Sequence, residues 1–230
     1  MKLILFDVDM TLISSAGAGA RALDAAMGEL YGIEAAFRGV EFAGRTDRLI
    51  TEEGLRRGGV EPTPGAVSGM RSAYLRHLAR ELASVRCTAA VLPGVPDLLE
   101  SLDDRGAAIG LLTGNWKEGA FLKLAACGLD GRFMFGGFAD DGRERAELVP
   151  NAVEGARLLT GKTFAPSDTW VVGDTPYDVS CGRFWGFETL AVATGPYDEE
   201  ELAASGASGV VPDLTDTASI SGLMTGDRRA

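Results

Sequence analysis

Histidine occurs once in these 230 residues, as His77, and that scarcity excludes whole classes of chemistry. Catalytic triads and histidine-rich metal centres need imidazole as base or ligand, so a single copy nearly removes both. Cysteine is almost as rare. Cys87, Cys127 and Cys181 are odd in number, widely spaced and without a CxxC pair, which reads as free thiols in a reducing compartment and speaks against zinc. Positive charge is in deficit: 22 Lys and Arg face 33 Asp and Glu, for a net charge of −11. With no long run of like charge, nucleic acid and acidic membranes are poor candidate partners, and small ligands are better ones. No apolar run is long enough to span a bilayer, and the N-terminal stretch lacks the h-region of a secretion signal, so a cytoplasmic location is expected.

What is present is enough apolar material, 46% of the residues, to bury one large core or two modest ones. The chain has two textures. Residues 18–31, 46–57 and 65–84 carry helical periods only, broken by glycine and by Pro62 and Pro64. The rest alternates short apolar runs with helical patterns. Strands are expected at 3–6, 107–113, 133–135, 170–172, 189–192 and 209–211, each followed by a turn signal or a helix start. Such alternation predicts an α/β fold, a doubly wound parallel sheet covered on both faces. Because the first strand belongs to this core, the helical stretch is an insertion, with joints at 13–17 and at the "VLPGVP" segment, 91–96. The expected division is a core of residues 1–14 and 91–230 and a helical unit of residues 15–90.

In open α/β sheets, chemistry collects at the carboxyl ends of the strands. The opening "LILFDVDMT" ends an apolar strand in Asp7 and Asp9, with Thr11 just beyond. Two carboxylates that close repel, and burying even one is expensive unless a cation or donors compensate. The strand in "AAIGLLTGN" delivers Thr113, Gly114 and Asn115, and the strand in "WVVGDTPYD" delivers Gly173, Asp174, Thr175 and Asp178. An oxygen-only set without histidine or cysteine suits a hard cation such as Mg²⁺. Each signal alone is ordinary turn or capping chemistry. Together, in this order and each at a strand end, they read as a site.

At these residues the chain resembles the haloacid dehalogenase superfamily, in particular its phosphoglycolate-phosphatase-like branch with a helical cap. "DVDMT" is similar to the family's first motif, "LLTGN" to its second and "VVGDTPYD" to its fourth, and the resemblance covers almost the whole chain. Met10 departs from the usual glycine, at a place where only backbone is needed. The third motif, a basic residue, is assigned to Arg145, with Arg143 as the alternative, because none of Lys2, Lys117, Lys123 and Lys162 lies just before "ELVPNA". The resemblance implies a Mg²⁺-dependent phosphatase. Asp7 would be the nucleophile and Asp9 the general acid and base, with Thr113 and Arg145 on the phosphoryl group and Gly114 and Asn115 beside the substrate. The metal would be held by Asp7, by Asp9 through its carbonyl, and by Asp174, with Asp178 as an outer support. The partner is a small phosphorylated substrate.

Neighbouring chemistries separate on residues. Metal-free dehalogenases of the superfamily lack the second aspartate, which is present here, and phosphonate-cleaving relatives need a cap lysine, whereas no lysine lies between Ile13 and Ala90. A sugar-phosphate mutase shares the core and stays open as an alternative; a non-catalytic phosphate-sensing module should have lost Asp7 or Asp9. In "FAGRTDRLI", Arg45 lies where a loop meets a helix N-terminus, a natural anion site. It is expected to pair either with a substrate carboxylate, which would suit phosphoglycolate, or locally with Asp47 or Glu41.

Overall fold

Leu3–Phe6 is apolar at every position, without the alternation of a half-exposed strand, and this is the pattern of a strand covered on both faces. In the computed structural model, which describes residues 1–84 and 88–226, all four side chains are fully buried. Ile4 and Phe6 face one apolar cluster, Leu3 and Leu5 the other. Cys87 lies outside the described residues.

The chain runs β1 (Leu3–Phe6), β2 (Ile13–Ser14), α1 (Ala18–Tyr31), α2 (Asp47–Arg57), α3 (Pro64–Ala83), β3 (Ala90–Val91), α4 (Val95–Asp104), β4 (Ala108–Leu112) and α5 (Lys117–Ala126). It continues with β5 (Gly136–Gly137), α6 (Arg145–Thr160), β6 (Thr169–Gly173), α7 (Pro176–Phe184), β7 (Glu188–Val192), α8 (Glu199–Ala204), β8 (Gly209–Val211) and α9 (Thr217–Thr225). Six strands form one parallel sheet in the order β5-β4-β1-β6-β7-β8. Helices α4, α5 and α9 pack on the Ile4 face, and α6 and α7 on the Leu3 face. The fold is therefore the doubly wound α/β architecture. Strand order reverses about β1, and a crevice opens at the carboxyl ends of β4, β1 and β6. No described helix is long and apolar enough to cross a membrane.

One strand differs from the sequence expectation. Residues 133–135 were expected to form it, yet the strand is Gly136–Gly137, and the ladder begins only where the Phe135 carbonyl accepts the Leu111 N–H at 3.1 Å. Phe133 and Phe135 instead fill the two opposite apolar clusters. The glycines belong where they are: a Cβ on Gly137 would meet the Leu148 carbonyl oxygen at 2.2 Å, so α6 packs directly on strand backbone.

The helical insertion leaves through β2 and returns through β3, an antiparallel pair with Ile13 opposite Val91 and Ser14 opposite Ala90. Its own apolar cluster comes from residues spaced for one helix face: Ala18, Ala22, Ala26 and Met27 of α1 against Met70, Ala73, Tyr74 and Leu78 of α3. Thr46 and Thr63 cap α2 and α3, accepting the Leu49 and Ala66 amides, and Pro64 starts α3 with φ already set for a helix. Trp116, from the sheet side, joins this cluster, its ring 5.5 Å from that of Tyr74.

Candidate active site

The ends of β1, β4 and β6 meet the insertion around a cavity of about 300 Å³. Its lining includes Asp7, Asp9, Thr113, Gly114, Asn115, Arg145 and Asp174, so most of the residues singled out in the sequence converge there. Gly114 is required by close approach, since a Cβ would sit 2.2 Å from the Arg45 carbonyl oxygen. The loop and the insertion are stitched together at that point. The Asp47 amide donates to the Gly114 carbonyl at 2.6 Å, and the Asp47 carboxylate accepts the Trp116 N–H at 2.9 Å.

On one side of the crevice lies an acid cluster. Asp7, Asp174 and Asp178 are buried, each offering a carboxylate oxygen, and these oxygens lie within 4.8 Å of one another. Arg145, the first residue of α6, reaches in with Nη2 at 2.9 Å from Asp7 Oδ1 and 2.5 Å from Asp178 Oδ1, while donating to the Leu112 carbonyl at 3.0 Å. Asp178 is fixed by a reciprocal cap on α7, its Oδ2 accepting from the Thr175 amide at 3.1 Å and the Thr175 hydroxyl at 2.7 Å. Asp174 accepts the Thr11 hydroxyl at 3.3 Å. Burial pushes the Asp7 carboxyl up to about 6 against the pull of Arg145, with Asp178 and Asp9 adding repulsion. Burial likewise pushes Asp174 up to about 8, with Asp178 and Asp7 adding to it. Arg145 is held charged: burial opposes the charge, but Asp178 and Asp7 outweigh it.

Asp9 points elsewhere. Its Oδ2 accepts from Lys123 at 2.6 Å and from Asn115 Nδ2 at 2.9 Å, and its Oδ1 accepts the Ser15 hydroxyl at 3.0 Å. Burial pushes this carboxyl up as well, yet Lys123, with the Asn115 and Ser15 hydrogen bonds, holds it below the ordinary aspartate range. Its side chain is thus engaged outside the acid cluster of Asp7, Asp174 and Asp178. Thr113 Oγ1 accepts from the Asn115 side-chain and backbone N–H groups, at 2.8 and 3.3 Å, which leaves the hydroxyl proton for a ligand.

The donor set fits a hard divalent cation. It is all oxygen, buried and short of positive charge, since one guanidinium faces three carboxyls, two of them pushed toward neutrality. Asp178 Oδ1 also lacks an aligned hydrogen-bond donor.

Three placements were not legible beforehand or differ from expectation. Arg143 does not reach Asp7; its guanidinium pairs with Glu52 of the insertion at 2.5 Å. Arg45 pairs with Glu53 at 2.6 Å and donates to the Glu41 carbonyl at 3.1 Å, so its guanidinium is engaged locally, with a partner not anticipated. Lys123, missed in the sequence, is buried between Asp9 and Asn115. Its signal was helical phase: with Ala120 and Leu124 it lies on the buried face of α5, where an unpaired lysine would be costly.

With this geometry in hand, comparison with known proteins gives a family. Residues 4–183 match the family model described as haloacid dehalogenase-like hydrolase. The fold is shared with CbbY from Rhodobacter sphaeroides in complex with phosphate, at 17% identity and TM-score 0.76, covering 94% of this chain and 96% of that one. A variant of CbbY solved with xylulose-(1,5)bisphosphate gives 18% identity and TM-score 0.76 over 94% and 96% of the two chains. A predicted phosphoglycolate phosphatase from Haemophilus somnus gives 18% identity and TM-score 0.71 over 96% and 97%. A search of curated proteins found no match.

Proposed function

The chain belongs to the haloacid dehalogenase-like hydrolase family, and from that premise we propose that it is a Mg²⁺-dependent phosphatase acting on a small phosphorylated metabolite through an aspartyl-phosphate on Asp7. The observation that carries this reading is the separation of the two aspartates. Asp7 lies in the acid cluster against Arg145, whereas Asp9 is held apart by Lys123, Asn115 and Ser15. One is set up to act on phosphorus and the other on the proton.

In the first step an Asp7 oxygen attacks phosphorus, the bond to the alcohol oxygen breaks, and protonated Asp9 supplies that oxygen with its proton. In the second step ionised Asp9 removes a proton from water, whose oxygen attacks phosphorus and releases Asp7 and inorganic phosphate. The Lys123 contact favours the ionised form that this second step uses. Arg145 offsets charge on the transferred group, and the free Thr113 proton is available to one of its oxygens. Asp7, Asp174 and the Asp9 carbonyl would hold Mg²⁺ with Asp178 behind them; when bound, the ion neutralises charge between an anionic nucleophile and an anionic ester. Residues 15–90 act as a cap over the core of residues 1–14 and 91–230. The solved relatives with phosphate and with a sugar bisphosphate support a small phosphorylated substrate.

The test is a screen of phosphorylated metabolites with Mg²⁺, followed by acid quench of the best substrate and peptide mass spectrometry. A phosphoryl adduct on Asp7 and phosphate released to water are expected. Turnover with the adduct on another residue would refute the assignment, and transfer to a second sugar hydroxyl in place of water would make the protein a mutase.

A further inference from the structure

The insertion brings an apolar wall to the cavity. Leu23 of α1, Ile50 of α2 and Tyr74 of α3 line it and are buried, and Phe42 and Ala43, from the loop before α2, line it half-buried. Leu23, Ile50 and Tyr74 also belong to the apolar cluster of the insertion, with Phe42 packed against it, so this side of the cavity continues that cluster. Met10 adds to the lining next to Asp9. It holds φ 58°, a conformation in which glycine would be unstrained, so a long apolar side chain is kept there at a conformational cost.

The polar side chains among these apolar ones already have partners. Ser15 and Asn115 donate to Asp9, Asp47 accepts the Trp116 amide, and Arg45 is paired with Glu53. The Lys123 ammonium is taken up by Asp9 and Asn115. Burial opposes its charge, but Asp9 and Asp47 outweigh that and keep it protonated. Burial, and then the Asp47 and Asp9 carboxylates, hold the Tyr74 hydroxyl protonated as well. Two carboxylates facing one ammonium leave no positive charge over for an anionic leaving group. The hydroxyls of a sugar would lose water there without gaining free side-chain partners, which is costly. Gly17 is exposed, so the start of α1 lies at the mouth of the cavity.

We propose that this part of the cavity is a pocket for a neutral, apolar leaving group, making the substrate the phosphate monoester of a small alkyl or aryl alcohol. That assignment rests on the phosphatase reading. Asp9, which would protonate the leaving oxygen, lines the same cavity, so the carbon side of the ester lies against the apolar wall. Covering its carbons with Leu23, Phe42, Ile50 and the Tyr74 ring removes apolar surface from water, and that burial drives binding. A cavity of about 300 Å³ that also holds the phosphoryl group leaves room for a short chain or a single ring.

The decisive comparison is kcat/KM for n-propyl phosphate against 2-hydroxyethyl phosphate, which differ by a methyl group in place of a hydroxyl. The carboxylate ester 2-phosphoglycolate serves as the anionic case and p-nitrophenyl phosphate as a common reference. The native protein should prefer the propyl ester to the hydroxyethyl ester by about tenfold or more, and to the carboxylate ester by a wider margin. Phe42→Ala, at a half-buried position, and Met10→Gly, which relaxes the positive φ, should both fold and should shrink that preference several-fold. An undiminished preference in both variants would overturn the pocket. So would equal kcat/KM on the propyl and hydroxyethyl esters, or fastest turnover of 2-phosphoglycolate. In each of these cases an ester is still hydrolysed and the phosphatase reading stands. Should no ester be hydrolysed, the phosphatase reading falls and calorimetry in Mg²⁺ judges the pocket alone. Tighter binding of n-propylphosphonate than of 2-hydroxyethylphosphonate then supports it, and equal or undetectable binding refutes it.

Discussion

The two walls of the cavity differ in how their charge is balanced. The floor, made by the ends of β1, β4 and β6, brings Asp7, Asp174 and Asp178 together with Arg145 as the cation among them. The roof, made by α1 and α3 with Lys123 rising from α5, brings the first turn of α1 and the Tyr74 ring to the cavity and pairs the Lys123 ammonium with Asp9 and Asn115. One wall crowds three carboxyls about one cation, and the other balances its one ammonium against Asp9, with Asp47 nearby. A bound divalent cation would make up the deficit of the floor. On the proposed function the difference would separate reaction from selectivity, with the floor meeting the phosphoryl group common to all esters and the roof the part that varies.

The sharpest way to break this comparison is on the floor. Asp7→Asn should lower phosphate release by on the order of 10⁴-fold or more. The metal-free melting temperature should hold or rise, since burial already pushes this carboxyl up to about 6. A variant with near-native turnover would move the nucleophile elsewhere. Next comes the cation. Chelation with EDTA should bring turnover to background, Mg²⁺ should restore it, and Mg²⁺ should raise the melting temperature because it binds the folded form. Activity that survives exhaustive chelation would contradict the charge deficit assigned to the floor.

The seam between the walls predicts a pH effect of known sign. Burial pushes the Asp47 carboxyl up to about 6, against Lys123 and the Trp116 amide. Because the folded form binds this proton more tightly than the unfolded chain, the group's contribution to stability falls as pH rises from about 4 through 6. Asp47→Asn, which can still accept the Trp116 N–H, should therefore gain on the native protein across that window, by up to about 2 kcal/mol. Parallel melting curves from pH 4 to 7 would rule this out. The smallest effect is expected at Arg45→Ala. Breaking a half-exposed pair with Glu53 should cost at most about 1 kcal/mol and change the ratio of carboxylate to neutral ester turnover little. A selective loss on the carboxylate ester would return Arg45 to the site.

The floor was legible in the sequence because a parallel sheet delivers its strand ends to one edge, so Asp7, Thr113 and Asp174 needed only their strands to be recognised. Arg145 and Arg143 were harder to separate, being two residues apart. Arg145 opens α6 and turns under the sheet edge, while Arg143 precedes the cap Glu144 and faces Glu52. The roof was not legible. Tyr74 reads as core, and its ring is core; that it also lines the cavity depends on how α1 and α3 pack. Glu53 as the partner of Arg45 depends on how α2 follows its loop, which spacing does not encode. The misplaced strand near residue 135 has the opposite cause. Apolar character marks what fills the clusters, and Gly136 and Gly137 pair in the sheet because they have no side chains.

Ser14 and Ala90 are direct partners across β2 and β3, so the segment between them starts and finishes at one place. The free energy of closing such an excursion grows only slowly with its length, and the strands that pair with β1, namely β4 and β6, both lie outside it. On the proposed function that would make the segment an exchangeable cassette. A related sequence grafted between these two positions would carry its own leaving-group preference onto unchanged phosphoryl chemistry, provided it met the same two anchors, the Gly114 carbonyl and the Trp116 amide.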